Sequence, residues 1–256
     1  MEFVDIANFR AKRDELKEQW NSKRPFRYLV VDNFLSPSKA EEVLNSYPAV
    51  DQGEWDGTTY INQKNKFQQR EFLSDSIFLN VFDELNSADF LKDIEYITGI
   101  EKLIPDKKLF GGGLHQSIAG AFLDVHVDYN IHPETKLHRR LNILIYMNKD
   151  WRDEYEGHLQ LWDMKDKVMI GNIAPTFNRM AMFETNEISF HGHPTPLQTP
   201  RGVTRKSIAA YYYSQSRPSN EITSEHNTIY VNTQGVKGKT KNLFSGIKAL
   251  LERVRR

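Results

Sequence analysis

The sequence predicts a mainly β domain, a sandwich or barrel with helices flanking it. Two observations carry this. From Leu114 to about Ser214, short runs rich in Ile, Leu, Val and Tyr recur between Gly, Pro, Asn and Asp. They include AFLDVHVD, LNILIYMN, HLQLWD, MAMFE and KSIAAYYYS, the texture of closely spaced strands. Before about residue 110 the apolar residues recur instead at helical spacing. A chain of 256 residues with 12% aromatics can build one large domain around a substantial core.

The elements follow in order. Residues 3–20 place Phe3, Ile6, Phe9 and Leu16 among charges and predict one amphipathic helix. RYLVVD, Arg27 to Asp32, is a short apolar strand. Ser36 before Pro37 signals a helix start, and Tyr47-Pro48 ends that helix. Residues 50–71 are polar with isolated aromatics and predict a loop or weak hairpin, either a lid or a plain connection. If a lid, Trp55, Tyr60, Lys64 and Arg70 would face substrate together with Asn130 and His132; ordinary loop roles are the favoured reading. Residues 72–99 look helical through Ile77, Phe78, Val81, Phe82, Leu85, Phe90 and Leu91, and Gly111-Gly112-Gly113 breaks the pattern. At the other end, Lys237, Lys239 and Lys241 precede a basic amphipathic helix carrying Leu243, Phe244, Ile247, Leu250, Leu251 and Val254. It is expected to pack on the outside of the barrel, with contact to an anionic surface or partner as the alternative. The expected organisation is one domain over 1–235, with a helical lead-in over 1–110 and a β core over about 111–215, then the helix 236–256.

Composition bounds the function. Lys+Arg and Asp+Glu both number 34, so the formal charge is zero and no nucleic-acid partner is expected. The chain has no cysteine, which excludes disulfides, Fe–S clusters, thiolate zinc and cysteine nucleophiles. That fits a reducing compartment. MEFVDIANFRAKRDELKEQW lacks the apolar core of a signal peptide, and no stretch reaches the length of a membrane span. A soluble cytoplasmic protein is expected. Oligomeric state is not readable.

The chemistry concentrates in the β-rich half. His126 and Asp128, two residues apart at the end of an apolar strand, point the same way and can grip one metal from one side. A second imidazole from a later strand completes two histidines and one carboxylate on one face, leaving open positions opposite as non-haem Fe(II) oxygenases require. His191 and His193 in FHGHPTPL compete for that place. His191 directly follows a strand-like segment and is preferred, with Gly192 letting the chain turn away. Arg205 opens RKSIAAYYY and can hold a carboxylate in a two-pronged hydrogen bond. His115, His132, His138, His158 and His226 are read as non-ligands, His132 as a solvated loop residue. Tyr211-Tyr212-Tyr213 is read as packing.

His126-x-Asp128, His191 and Arg205 together resemble the Fe(II)/2-oxoglutarate-dependent dioxygenases, and within them the prolyl-4-hydroxylase-like group. RRLNILIYMNKDW (139–151) looks like that group's Arg, apolar strand, Tyr-Leu-Asn, Trp segment. EGHLQLWD (156–163) resembles its Gly-Gly-x-Leu-x-Leu strand, here with Gly157 followed by His158. RYLVVDNFLSPSKAEEVL is similar to its strand-helix lead-in. The resemblance implies a double-stranded β-helix, a jelly-roll barrel, with helices on one side. It implies Fe(II) on His126, Asp128 and His191, and 2-oxoglutarate with its distal carboxylate on Arg205. It places Ile145 and Leu159 along the co-substrate pocket and Gln116 near a position where the group often has a tyrosine. Asn142 and Tyr146, opposite Ile145 by strand alternation, are left unassigned. The implied reactants are Fe(II), 2-oxoglutarate and O2, with ascorbate admitted as a further cofactor. The implied reaction hydroxylates an unactivated C–H with release of succinate and CO2; desaturation or ring formation stays open. A small-molecule or amino-acid-like substrate is expected first and a protein prolyl or other side chain second. The competing classes are a zinc-type hydrolase on the same ligands and a non-catalytic ligand-binding jelly roll.

Overall fold

The structure, a computed structural model, describes residues 2–233, and the basic helix expected over 236–256 lies outside the described residues. The helix expected over 3–20 is two helices, α1 (Ile6–Ala11) and α2 (Arg13–Ser22). The chain breaks at Lys12, whose φ of −101° and ψ of 0° leave the helical basin. Asp5 caps α1 by accepting from the Asn8 N–H at 3.2 Å. β1 (Tyr28–Asp32) and α3 (Pro37–Asn45) follow, with Pro37 in the first turn as its missing N–H permits.

The polar stretch 50–71 is a hairpin of β2 (Asp56–Tyr60) and β3 (Gln63–Gln69). The lead-in is therefore not helical throughout. Residues 72–99 form α4 (Ile77–Leu85) and α5 (Ala88–Thr98). They separate because Ser87 starts a new helix, its Oγ accepting from the Phe90 N–H at 3.2 Å. The strands β4 (Ile104–Pro105), β5 (Gly113–Val127), β6 (His138–Tyr146), β7 (Leu159–Asp163), β8 (Val168–Ile173), β9 (Arg179–Glu184), β10 (Phe190–His193), β11 (Arg205–Ser214) and β12 (Ile229–Tyr230) complete the described chain.

The antiparallel path runs β1-β9-β6-β11-β5-β10-β7-β8. β5 is the shared wall. Its first part pairs with β11, Ser117 opposite Arg205, and its second part with β10, His126 opposite His191. Its other edge carries β3 and then β12. The result is the mainly β, nearly closed barrel expected of a double-stranded β-helix.

Strand alternation splits the apolar residues between two cores. Leu141, Ile143, Ile145, Ile208, Ala210 and Tyr212 face outward, into the core shared with the helices. There Phe90 sits between Phe9 and Phe34, with ring centroids 5.7 and 5.9 Å away. Tyr146, Leu159, Leu161, Ile173, Ala181 and Phe183 form the inner core between the sheets. One end of the barrel interior stays open as the pocket described next.

Candidate metal and co-substrate site

His126, Asp128 and His191 come together with one ligand atom each, all within 4.8 Å of one another. Two come from the end of β5 and one from β10, brought side by side because His191 is the register partner of His126. Gly192 does not turn the chain away as the sequence suggested. It continues β10 opposite Gln160, and a Cβ there would stand 2.8 Å from the Leu123 carbonyl oxygen. Its missing side chain lets β10 lie against β5. His193 lines the same pocket but is not part of the three-residue cluster.

Both imidazoles are oriented through Nδ1. His126 Nδ1 donates to the Asp124 carbonyl at 2.8 Å and His191 Nδ1 to the Ser189 carbonyl at 3.0 Å. That assignment leaves each Nε2 with a lone pair turned toward Asp128. The Nε2 atoms lie 3.6 and 3.5 Å from the two carboxylate oxygens, too far for hydrogen bonds. Two imidazole nitrogens and one carboxylate converge with no hydrogen bond between them. This donor set fits Fe(II), a cation of borderline softness.

The carboxylate is held from behind. Asn142 Nδ2 donates to Asp128 Oδ2 at 2.7 Å, and Arg139 Nη2 lies 3.1 Å from the same oxygen. Arg139 also donates to Asn142 Oδ1 from Nε and Nη2, and its guanidinium stacks 3.8 Å over Tyr211 and 4.6 Å over Tyr129. Burial pushes the Asp128 carboxyl up. Arg139 is the largest influence opposing it, and the group is held well below the usual carboxylate range. Burial, with His126 beside it, pushes His191 down to about 4, so it stays neutral at physiological pH.

Arg205 lies across the pocket, 7% exposed. Its Nε donates to the Gly157 carbonyl at 2.7 Å and its Nη2 reaches the Tyr146 hydroxyl at 3.4 Å. Gly157 has φ +76°, and a Cβ there would stand 2.4 Å from Leu197 Cδ2 and 3.0 Å from Arg205 Cδ. The glycine of EGHLQLWD is thus what lets the arginine lie flat against the barrel wall. Leu144, Leu159 and Phe183 line the apolar side of a cavity of about 230 Å³ between the metal ligands and Arg205.

Two residues assigned by resemblance point elsewhere. Ile145 is fully buried in the outer core, and Leu144 takes the pocket position. Gln116 also faces out of the barrel, donating to the Pro48 carbonyl at 3.0 Å and accepting from Thr204 Oγ1 at 2.8 Å. His115 and Ser117 are its inward neighbours. Parity decides both cases: Asn142, Leu144 and Tyr146 share the inner face, so the two polar residues left unassigned are the ones at the site. Arg139 joins them through a bulge between Tyr212 and Tyr213 that shifts the register of β6.

Of the lid residues expected from 50–71, Trp55, Lys64 and Arg70 are not among those that line the pocket. Trp55 stacks on Tyr47, while Lys64 and Arg70 are exposed. Asn130 anchors the later chain through Thr223 and Ser224. His132 is buried, not solvated, with Nδ1 accepting from the Glu134 and Thr135 N–H groups and Nε2 3.5 Å from Asp106. Lys66 of β3 lines the pocket instead, along with Thr228 and Tyr230, whose ring lies 5.3 Å from that of His126. Of the three successive tyrosines, Tyr212 is outer packing, whereas Tyr211 lines the pocket.

Residues 112–213 match the family model described as the 2OG-Fe(II) oxygenase superfamily. A mouse protein named prolyl 3-hydroxylase OGFOD1 is 23% identical over 234 residues, covering 84% of this chain and 40% of that protein. The chain thus spans well under half the length of this curated relative. A Trichoplax adhaerens prolyl hydroxylase, solved with a hypoxia inducible factor peptide fragment, superposes with TM-score 0.61 and 16% identity over 82% of this chain and 92% of that one. A Pseudomonas putida prolyl-4-hydroxylase gives TM-score 0.53 and 17% identity over 78% of this chain and 98% of that one. At these identities the structural likeness shows the fold.

Proposed function

We propose, on the premise that residues 112–213 form a 2OG-Fe(II) oxygenase domain, that the chain hydroxylates an unactivated C–H of a small-molecule or amino-acid-like substrate. The observation that carries this is the buried cluster of His126, Asp128 and His191, facing Arg205 across an apolar-walled cavity. His126, Asp128 and His191 would hold Fe(II). Arg205 would take the distal carboxylate of 2-oxoglutarate. When bound, iron and the 2-oxo acid supply the oxidising chemistry that uses O2 and yields succinate and CO2.

The chain's own residues do the positioning. The Asp124 and Ser189 carbonyls fix the imidazole tautomers, and Asn142 and Arg139 fix the carboxylate. Gly157 and Tyr146 fix the guanidinium at the far end. Leu144, Leu159 and Phe183 exclude water between the two ends. A zinc-type hydrolase on the same ligands would leave Arg205 without a role.

A second reading is favoured by the names of the relatives. The mouse relative is named a prolyl 3-hydroxylase, and two matching structures are described as prolyl hydroxylases, one of them with a peptide fragment, which favours a prolyl residue of a peptide or protein as substrate. The first test is anaerobic addition of Fe(II) and then 2-oxoglutarate to the purified protein. A weak visible charge-transfer band, absent in Asp128→Ala, supports the oxygenase reading. Iron binding with no band sinks it. Succinate release with free amino acids against proline-containing peptides then separates the two substrate classes.

A further inference from the structure

Lys66, Ser117 and Arg205 are consecutive register partners across β3, β5 and β11. All three line the same cavity. Adjacent strands lie about 4.8 Å apart, so the two cations rise from backbones separated by roughly 10 Å with one small hydroxyl between them. Two long side chains and one carboxylate span that distance.

The charges are not balanced by the protein. Among the described residues neither Lys66 nor Arg205 has a carboxylate in ion-pair contact. The acid that favours the charged form of Lys66 is Asp128, already paired with Arg139 at 3.1 Å. Arg205 is the charge that acts most strongly on Lys66, ahead of Asp128 and Arg139. The shared register partner Ser117 places the lysine at the Arg205 end of the cavity rather than the metal end. His115, the next residue inward on β5, adds no third cation, because burial and Lys66 itself hold it well below the usual imidazole range. Two unpaired cations held side by side in a half-dry cavity repel each other until an anion lies between them.

We propose that Lys66 and Arg205 form a two-cation cradle, floored by Ser117, for the distal carboxylate of 2-oxoglutarate. This rests on the oxygenase reading above and deepens it. Lys66 comes from the polar hairpin ahead of the matched domain, so a strand outside residues 112–213 completes the co-substrate site. The hairpin is then no lid. It is a fixed wall whose one inward cation sets the preference for a dicarboxylate.

The test is calorimetric titration of the Mn(II)-loaded protein, without O2, with 2-oxoglutarate and with 2-oxopentanoate, which carries a methyl group in place of the distal carboxylate. Lys66→Met should weaken 2-oxoglutarate binding by tenfold or more and leave 2-oxopentanoate within twofold of wild type. Lys66→Arg should recover most of the loss. Unchanged 2-oxoglutarate affinity in Lys66→Met, or an equal loss for both probes, overturns the cradle while the oxygenase reading stands. A wild-type protein that binds Mn(II) but neither oxo acid overturns the oxygenase reading itself.

Discussion

The Gly157 carbonyl accepts the Nε–H of Arg205 at 2.7 Å, and the same glycine leaves no room for a side chain beside that arginine. The two residues act as one unit although 48 positions separate them. Gly157→Ala should move the guanidinium off the wall. It also places a side chain at φ +76°, a strain of about 1 kcal/mol or more. The expected result is a several-fold weaker 2-oxoglutarate affinity with metal affinity unchanged, read by titrating the co-substrate into metal-loaded protein.

Arg205→Ala removes the charged contact itself. It should cost about 1.5–3 kcal/mol of co-substrate binding. Binding equal to wild type would mean that the anchor lies elsewhere in the pocket.

Asn142→Leu tests the support of the metal carboxylate. It deletes the 2.7 Å bond to Asp128 and the acceptor of Arg139. Metal affinity should fall by about 10–100-fold, the usual cost of losing such a partner. A metal titration on a variant shown to keep its fold gives the answer directly.

Lys66 makes two pH dependences of opposite sign. It faces Arg205 on β11, His115 on β5, Asp128 just past the end of β5 and Arg139 on β6. Burial first, then Arg205, push its pKa down to about 8 from 10.5. Below about 8 it is a cation and favours the co-substrate; 2-oxoglutarate affinity should decline as pH rises from there. Between about 8 and 10.5 the unfolded chain holds more protons than the folded one at this residue, so its contribution to stability rises with pH. Lys66→Met should flatten both curves and raise the melting temperature at pH 7, a stability gained at the expense of binding.

Leu144 and Ile145 are neighbours with separate duties. Ile145→Ala should destabilise by about 2–5 kcal/mol, because it opens a cavity in the outer core, and leave co-substrate affinity intact. Leu144→Ala should cost less stability and weaken 2-oxoglutarate binding. The reverse pattern in denaturant unfolding and titration would mean that β6 sits one residue out of register.

The sequence by itself determined the class of fold, the iron ligands as candidates and the arginine opposite them. The first two ligands were legible from short-range geometry, and His191 and Arg205 from their order along the chain and the family resemblance. His126 and Asp128 are two apart at a strand's end, and the strands around them are short apolar runs bounded by Gly, Pro, Asn and Asp. The hairpin at 50–71 was legible only as an alternative to a loop, and the breaks at Lys12 and Ser87 were not legible, since caps and edge pairing are decided by a few hydrogen bonds. Only the tertiary structure decided which face of each strand meets the pocket. β5 and β6 are buried on both sides, so hydrophobicity carries no parity signal, and Gln116 and Ile145 were placed on the wrong face for that reason. The bulge that turns Arg139 inward and the pairing that sets Lys66 beside Ser117 and Arg205 depend on contacts between segments distant in the chain. No local pattern encodes them, because the charge on Lys66 acquires meaning only when β3 is laid against β5.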